Sequence, residues 1–256
     1  SMPLPYFYWP GAKVAFGQSL ESLWDEWQEE LTAEAQQIEA EIRAAGVTES
    51  VRLTEHGRNI TGATYSPDGE FIIYSRTSPV DGSTVRRVER DGSNDRFLVL
   101  QTFSPRFSFA PDGTAFYFSQ NAINERFNDY SDIYRYEIAT GKIQVMRGVD
   151  DPGKSKRARD PDMSPDAKRM VRVRNGLHQS WVEVSHFIDK SEDCETKCFD
   201  KPTVIVPAHG DMQHASPRFS PDGTMVALSS WFPGGHRDIM IVDSNTGVIL
   251  DRVTED

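Results

Sequence analysis

A four-residue turn sequence that occurs four times constrains the fold of this chain more than any other feature. Each copy reads Ser-Pro-Asp-Gly or a close variant, follows a large apolar residue and precedes a strand-like run. The copies are Ser66–Gly69, Ala110–Gly113, Ser164–Ala167 and Ser220–Gly223. Proline fixes φ near the value needed at the second position of a type I turn, and glycine adopts the left-handed conformation that closes a hairpin.

The repeat therefore predicts four hairpin turns. The residues expected to form them are Pro67, Asp68, Gly69, Pro111, Asp112, Gly113, Pro165, Asp166, Pro221, Asp222 and Gly223. The third copy has Ala167 in place of glycine, and an alanine in the left-handed conformation costs about 1 kcal/mol. We expect the turn at Ala167 to be altered or strained.

The segments after the turns predict strands that are covered on both faces. They align without gaps as 71–75, 115–119, 169–173 and 225–229, and they are mostly apolar rather than alternating. The turn prolines are 44, 54 and 56 residues apart, and periods of about 40 to 50 residues are typical of propeller blades. The predicted fold is all-β, a β-propeller of four-stranded blades. The blades are expected at about 50–100, 101–150, 151–207 and 208–254.

The repeat also resembles a known family. Tyr65–Gly69, Phe109–Gly113 and Phe219–Gly223, each followed by an apolar strand, are similar to the blade repeat of TolB-type β-propellers. The resemblance covers roughly residues 50 to 256. It implies a WD40-like propeller fold and does not by itself imply one function.

Residues 1–46 form a different region, which precedes the predicted propeller at 47–256. Seven apolar residues lie at helical spacing, namely Leu20, Leu23, Trp24, Trp27, Leu31, Ile38 and Ile42. Ser19 is the expected N-cap and Gly46 the expected C-terminal stop. This pattern predicts an amphipathic helix that docks onto the neighbouring domain through its tryptophans. The alternative is a helix that binds a partner.

The segment from Pro5 to Glu30 resembles the C-terminal end of a gluzincin-type metallopeptidase domain. The resemblance implies that the zinc-binding part of such a domain lies upstream of this segment. In some bacterial envelope proteins such a domain is followed by a TolB-type propeller. We therefore expect a periplasmic or cell-envelope location, with any signal peptide upstream of Ser1.

The net charge of −11 argues against a nucleic acid as partner, because phosphate binding requires clustered Lys and Arg. No apolar run reaches the length of about 18 residues that a membrane span needs. A protein or peptide is the expected partner. Either the chain is part of a longer propeller, which we favour, or four blades close in an unusual way. An open array would favour a homodimer or cover by the N-terminal helix.

The sequence has no catalytic motif that we can identify. It lacks His-Glu-x-x-His, Gly-x-Ser-x-Gly and the glycine-rich phosphate and dinucleotide motifs. The aspartates of the turns repeat with the blades, so we interpret them as turn formers rather than catalytic carboxylates. We expect no enzyme activity from this chain, no cofactor and no metal.

Cys194 and Cys198 lie in a polar insertion of blade three, separated by three residues. Two thiols this close can form a small disulfide, which fits an oxidising compartment. Free thiols and a metal site remain alternatives, although a zinc site needs about four ligands. The disulfide is the favoured prediction.

Residues directly before the innermost strands are candidates for binding at the mouth of the axial channel. They are Asn59, Arg106, Arg159 and His214. One such residue from each blade converges on the axis, which gives the geometric reason for the choice. The alternative is that these positions, His214 among them, are ordinary loop or edge residues.

Together these features favour a non-catalytic binding or scaffolding propeller of a bacterial envelope protein. The alternative is the C-terminal accessory propeller of a metallopeptidase whose zinc site lies upstream.

Overall fold

The computed structural model describes residues 8–48, 50–55, 59–102, 106–124, 127–148, 157–188, 198–232 and 235–254. The chain divides into two compact units, Ser1–Val51 and Arg52–Asp256. Each unit is considered by itself.

The first unit contains two helices, α1 (Tyr8–Phe16) and α2 (Leu20–Ala45). Ser19 caps α2 as predicted, since its hydroxyl accepts a hydrogen bond of 3.1 Å from the N–H of Ser22. Gly46 ends the helix with φ +94° and donates its N–H to the Arg43 carbonyl. No described side chain of α2 is buried, and Trp24 and Trp27 are 54% and 48% exposed. Docking through the tryptophans stays a prediction. Neither described helix has the length and apolar character of a membrane span.

The second unit contains four antiparallel sheets, each with its four strands in sequence order. Blade one has β1 (Ile60–Tyr65), β2 (Phe71–Ser78), β3 (Gly82–Glu89) and β4 (Arg96–Leu100). Blade two has β5 (Phe107–Phe109), β6 (Ala115–Asn124), β7 (Asn128–Glu137) and β8 (Ile143–Val145). Blade three has β9 (Ala158–Met163), β10 (Arg169–Asn175), β11 (Ser180–His186) and β12 (Thr203–Val206). Blade four has β13 (Gln213–Phe219), β14 (Met225–Trp231), β15 (Arg237–Asp243) and β16 (Ile249–Arg252). The predicted propeller architecture is confirmed.

The repeated turns join the first and second strands of every blade. In each turn the fourth residue donates its N–H to the carbonyl of the first, as from Gly69 to Ser66 at 2.9 Å. The turn carboxylate accepts nearby donors, and the hydroxyl of Ser220 and the N–H of Thr224 hold the pKa of Asp222 at about 2. Ala167 forms the same turn as its glycine counterparts, with φ +59°. The third turn is therefore not altered, and its strain lies in the left-handed alanine.

The blades pack face to face through alternate residues of their strands. On β2, Phe71 and Ile73 join an apolar cluster with Phe116 and Phe118 of β6. We call the side of a blade that meets the next blade its forward face, and the opposite side its backward face. The forward face of blade two meets blade three in a cluster that includes Tyr117.

Blades three and four pack in the same way. Val171 and Val173 of β10 form a cluster with Val226 and Leu228 of β14. Within the part of the chain that the structure describes, no strand of blade four contacts a strand of blade one. The four blades thus form an open array.

Candidate binding site at the propeller axis

The first strands of the four blades lie next to one another around the axis. Contacts join β1 to β5, β5 to β9 and β9 to β13. Any group that points inward from these strands therefore faces groups from other blades. This arrangement makes the axis the natural place to look for a binding site.

Three of these inner strands contain a bulge at the same position. Gly62, Asp160 and Ser216 each lie five residues before the proline of their turn, and have φ values of +64°, +52° and +53°. The pairing with the second strand shifts register at each bulge. Left-handed non-glycine residues such as Asp160 and Ser216 are uncommon and cluster at functional sites.

Side chains of one blade accept hydrogen bonds from main-chain N–H groups of the following blade. Ser108 and Ser119 of blade two accept from Met163 and Asp160, each at 2.9 Å. Free N–H groups on a strand edge are costly when buried and promote unwanted pairing when exposed. By accepting these hydrogen bonds, the two hydroxyls satisfy the N–H groups of blade three and make them unavailable for pairing with another strand.

Blade three provides the same kind of acceptor for blade four. The carboxylate of Asp160 accepts from the N–H of Ser216 at 3.1 Å, and that of Asp162 accepts from Phe219 at 2.8 Å. The Asp160 and Asp162 side chains are only 5% and 13% exposed. Their main role is therefore to hold neighbouring blades in register.

Two arginines complete the polar cluster. Arg159 donates to the Asp160 carboxylate at 2.6 Å, to the His214 carbonyl at 2.6 Å and to Asn175 at 3.3 Å. Arg218 donates to the Asp162 carboxylate at 2.6 Å and, from the same nitrogen, to the Phe107 carbonyl at 3.2 Å.

Arg218 therefore links blades two, three and four. Its side chain keeps 39% of its surface exposed, against 17% for Arg159. Of the two arginines in this cluster, Arg218 is therefore the one whose guanidinium is more accessible to solvent and to a ligand.

His214 is fully buried beside this cluster. Its N–H donates to the Ser180 hydroxyl at 2.7 Å, and its Nδ1 shares a hydrogen bond of 2.8 Å with Ser230. Its Nε2 is buried and has no hydrogen-bond partner within the usual distance among the described residues, although the Pro207 carbonyl interacts with the ring and opposes the lowering of its pKa. Burial, and then the positive charge of Arg159, lower the pKa of His214 from 6.5 to about 4. The ring is therefore neutral at pH 7.

The four predicted channel-mouth residues do not form one group. Arg159 and His214 are in contact, whereas Asn59 and Arg106 lie exposed just before β1 and β5. Among the described residues, no hydrogen bond joins Asn59 or Arg106 to that pair. Since the His214 ring has no exposed surface, binding at this position would use Arg159. The role of all four in binding stays a prediction.

Asp160, Asp162 and Arg218 are the cluster members that the sequence prediction missed. Two of the four predicted residues, Arg159 and His214, lie inside β9 and β13 rather than before them and are joined by a hydrogen bond, whereas Asn59 and Arg106 precede their strands. A signal was nevertheless present, because Ser108, Asp162 and Arg218 each lie three residues before their turn proline.

The cysteine prediction falls partly outside the described residues. Cys198 is buried, with 2% exposure, and is disulfide-bonded. Cys194 lies outside the described ranges, so the pairing of the two stays a prediction. The described residues contain no group of three or more His, Cys, Asp or Glu side chains placed to bind a metal.

Comparisons with solved structures place this fold among TolB-type propellers. TolB from Acinetobacter baumannii matches with a TM-score of 0.59 and 19% identity, over 80% of this chain and 46% of that chain. A protein assigned as TolB from Agrobacterium tumefaciens matches with a TM-score of 0.56 and 19% identity, over 74% of this chain and 63% of that chain. The tricorn protease matches with a TM-score of 0.54 and 10% identity, over 78% of this chain and 23% of that chain.

At identities of 10% to 19%, these matches show a similarity of fold alone. The chain spans less than two thirds of the length of both TolB structures. No family model matches the sequence, and no curated protein matches it.

Proposed function

We propose that this chain is a non-catalytic binding or scaffolding propeller of a bacterial envelope protein. Its partner is a protein or peptide, held at the axial end where Asn59, Arg106 and Arg159 lie. The TolB-type fold supports a binding role, and the resemblance of the N-terminal segment supports the envelope location.

The observation that carries the proposal is the set of arginines near the axis. Arg106 is exposed and has no ion-pair partner among the described residues, whereas Arg159 and Arg218 are paired with Asp160 and Asp162 and keep part of their surface exposed. An exposed arginine attracts carboxylates and can bind one through two parallel hydrogen bonds. The expected ligand is therefore an acidic peptide segment or a C-terminal carboxylate.

A labelled peptide library tests the proposal by fluorescence anisotropy. Peptides with a free acidic C-terminus should bind, and the same peptides with an amidated end should bind more weakly. Arg106→Gln should weaken binding, whereas Arg96→Gln, an exposed arginine of the outer strand β4, should not. Equal binding of free and amidated peptides, or equal effects of the two substitutions, would contradict the proposal.

The second candidate is an accessory propeller of a metallopeptidase. It is favoured by the gluzincin-like segment at Pro5–Glu30 and by the fold likeness to the tricorn protease. A His-Glu-x-x-His sequence upstream in the gene, with peptidase activity that is lost when those histidines are replaced, would support it. Peptide hydrolysis by the 256 residues alone would contradict both candidates.

A further inference from the structure

The hairpins that join the second and third strands carry the most exposed apolar side chains of the second unit. Among the described residues of 52–256, four large apolar side chains are more than three-quarters exposed, and all four lie at these hairpins. They are Val80 in blade one at 89%, Ile123 and Phe127 in blade two at 78% and 92%, and Leu177 in blade three at 82%. Blades two and three have a neighbouring blade on each side, so the exposure of their hairpins does not come from a missing neighbour.

The hairpin turns at the opposite end of the blades have polar tips. Turns between first and second strands have Pro-Asp-Gly or Pro-Asp-Ala at the tip, and those between third and fourth strands have Asp-Gly or Thr-Gly in blades one, two and four. Because antiparallel strands reverse direction at each hairpin, the apolar hairpins lie at the end where the first strands begin. Arg106 and Arg159 lie at that same end.

Arg157, which directly precedes β9, joins the apolar hairpins of blades two and three. Its guanidinium donates to the hydroxyl of Tyr130, on β7, at 2.7 Å and lies 4.1 Å from the centre of that ring. Its carbonyl accepts the N–H of Asn175, the last residue of β10, at 3.0 Å. The two hairpins are therefore held next to each other.

Arg159 approaches the same place from the axis. Its Nε donates to the side-chain oxygen of Asn175 at 3.3 Å, so Asn175 contacts both arginines. Arg106 precedes β5, which contacts β9, and is exposed. Arg157 has a left-handed φ of +52°, a conformation that is uncommon outside glycine and clusters at functional sites. Three arginines thus lie at the end of blades two and three that carries the apolar hairpins.

Ile123 lies on the side of its hairpin that faces blade three. It follows Ser119 by four residues in β6, whose pairing with β7 is regular throughout, so both side chains lie on one face of the strand. Ser119 is on the forward face, since its hydroxyl accepts the N–H of Asp160. Ile123 and Leu177 therefore lie on either side of the space between the two hairpins.

We propose that this space binds a large apolar side chain of the peptide ligand. We call it the two-hairpin site, and its apolar residues are Ile123, Phe127 and Leu177. The inference rests on the proposed function, because the arginines at this end hold the carboxylate of the same ligand. Apolar side chains gain by losing contact with water, and arginine selects a carboxylate. The expected ligand is a peptide with Phe or Leu next to its acidic end.

The dimensions favour a peptide over a larger partner. Sheets that pack face to face are about 10 Å apart, which leaves room for one extended chain between neighbouring hairpins but not for a second folded copy of this protein. A membrane surface would touch all the exposed hairpin tips, Val80 included, and would have no reason to prefer those beside Arg157. Val80 therefore provides the matched control for the experiment.

Fluorescence anisotropy with two labelled peptides tests the proposal. One peptide consists of Gly and Ser and ends in Asp with a free carboxylate, and the other has Phe directly before that Asp. The Phe peptide should bind the wild type at least about tenfold more tightly, from burial of one aromatic side chain. Phe127→Ser and Leu177→Ser should each reduce this preference to about threefold or less, because each removes part of the apolar surface. Val80→Ser should leave the preference unchanged.

The outcomes separate this proposal from the proposed function. If the free carboxylate strengthens binding but Phe does not, the two-hairpin site is wrong and the axial carboxylate site stands. If neither peptide binds, both are wrong. An equal loss of preference in Val80→Ser, or none in Phe127→Ser and Leu177→Ser, would also overturn the two-hairpin site. So would variants that reduce only co-sedimentation with phosphatidylglycerol vesicles or only self-association, since the tips would then contact a membrane or a second copy.

Discussion

At the scale of single residues, the buried imidazole of His214 has a charge state that follows from its surroundings. The protein buries the ring completely and places Arg159 next to it. Both effects disfavour the imidazolium. The neutral ring can still share a hydrogen bond with Ser230, which accounts for its place in a buried site.

This charge state predicts a pH-dependent free energy of unfolding. The folded-state pKa of about 4 lies below the ordinary value of 6.5, so protons bind the unfolded chain more tightly. The contribution of His214 is complete above pH 6.5 and is lost as pH falls towards 4. A shift of this size corresponds to about 3 kcal/mol, at about 1.4 kcal/mol per pKa unit.

Urea denaturation of the wild type and of His214→Gln between pH 7 and pH 4 measures this contribution. The variant should show a smaller loss of free energy of unfolding over that interval. His178→Gln, at an exposed histidine of blade three, should behave like the wild type. Parallel pH curves for wild type and His214→Gln would contradict the assignment.

The residue scale also shows what the sequence could and could not reveal. Turn chemistry is local, so Pro67, Asp68 and Gly69 and their counterparts could be assigned from four letters of sequence. The left-handed residues of the bulges carry no such signal, since Gly62, Asp160 and Ser216 are chemically unlike one another. The inward-facing positions were therefore assigned from the residues before each strand, which selected Asn59 and Arg106 and missed Asp162.

At the scale of strands and turns, contacts between blades decide which glycines are essential. Gly69 and Gly247 have the same φ of +74°. A Cβ atom on Gly69 would meet nothing within 4 Å, whereas one on Gly247 would lie 1.8 Å from the Ile205 carbonyl oxygen. Only at Gly247 must the neighbouring blade move to accept a side chain.

We predict that Gly69→Ala lowers the free energy of unfolding by about 1 kcal/mol, the conformational cost alone. Gly247→Ala should lower it by about 1–3 kcal/mol more, because backbone atoms of β12 must shift. Urea denaturation of the two variants side by side measures the difference. Equal losses would show that the contact between the turn and Ile205 contributes nothing to stability.

Strand positions were predictable because each strand follows its turn directly, in a register that the turn fixes. The place of Leu53 was not, because its partners Ile72, Tyr74 and Val88 lie about 20 to 35 residues further along the chain. Periodicity identifies an apolar residue but not the sheet that covers it. In the structure Leu53 lies against the turn at Gly92, and Ile205 lies in the same way against the turn at Gly247.

At the scale of the whole molecule, the two compact units have different kinds of surface. The second unit has its apolar residues in four clusters between and beside its sheets. The helix α2 has none of its described side chains buried. The stability of the propeller should therefore reside in the second unit.

We predict that a chain of residues 52–256 folds and unfolds cooperatively, with a urea midpoint close to that of the full chain. Retention of Arg52 and Leu53 is essential to this design, because Leu53 covers blade one. A chain beginning at residue 59 is the informative comparison and should have a lower midpoint. A large loss on removing residues 1–51 alone would instead indicate that α2 stabilises the sheets, as the helical pattern first suggested.

The side chains that accept N–H groups across the interfaces have a consequence for how such a molecule can be rearranged. Ser108 and Ser119 match amides of blade three, while Asp160 and Asp162 match amides of blade four. The donors are main-chain N–H groups at equivalent positions of the repeat, since Met163 and Phe219 lie two residues before their turn proline, and Asp160 and Ser216 lie five residues before it. A duplicated blade brings these donors with it whatever its side chains are, so an array of this kind can be lengthened by one blade without leaving the acceptors of the preceding blade unpaired.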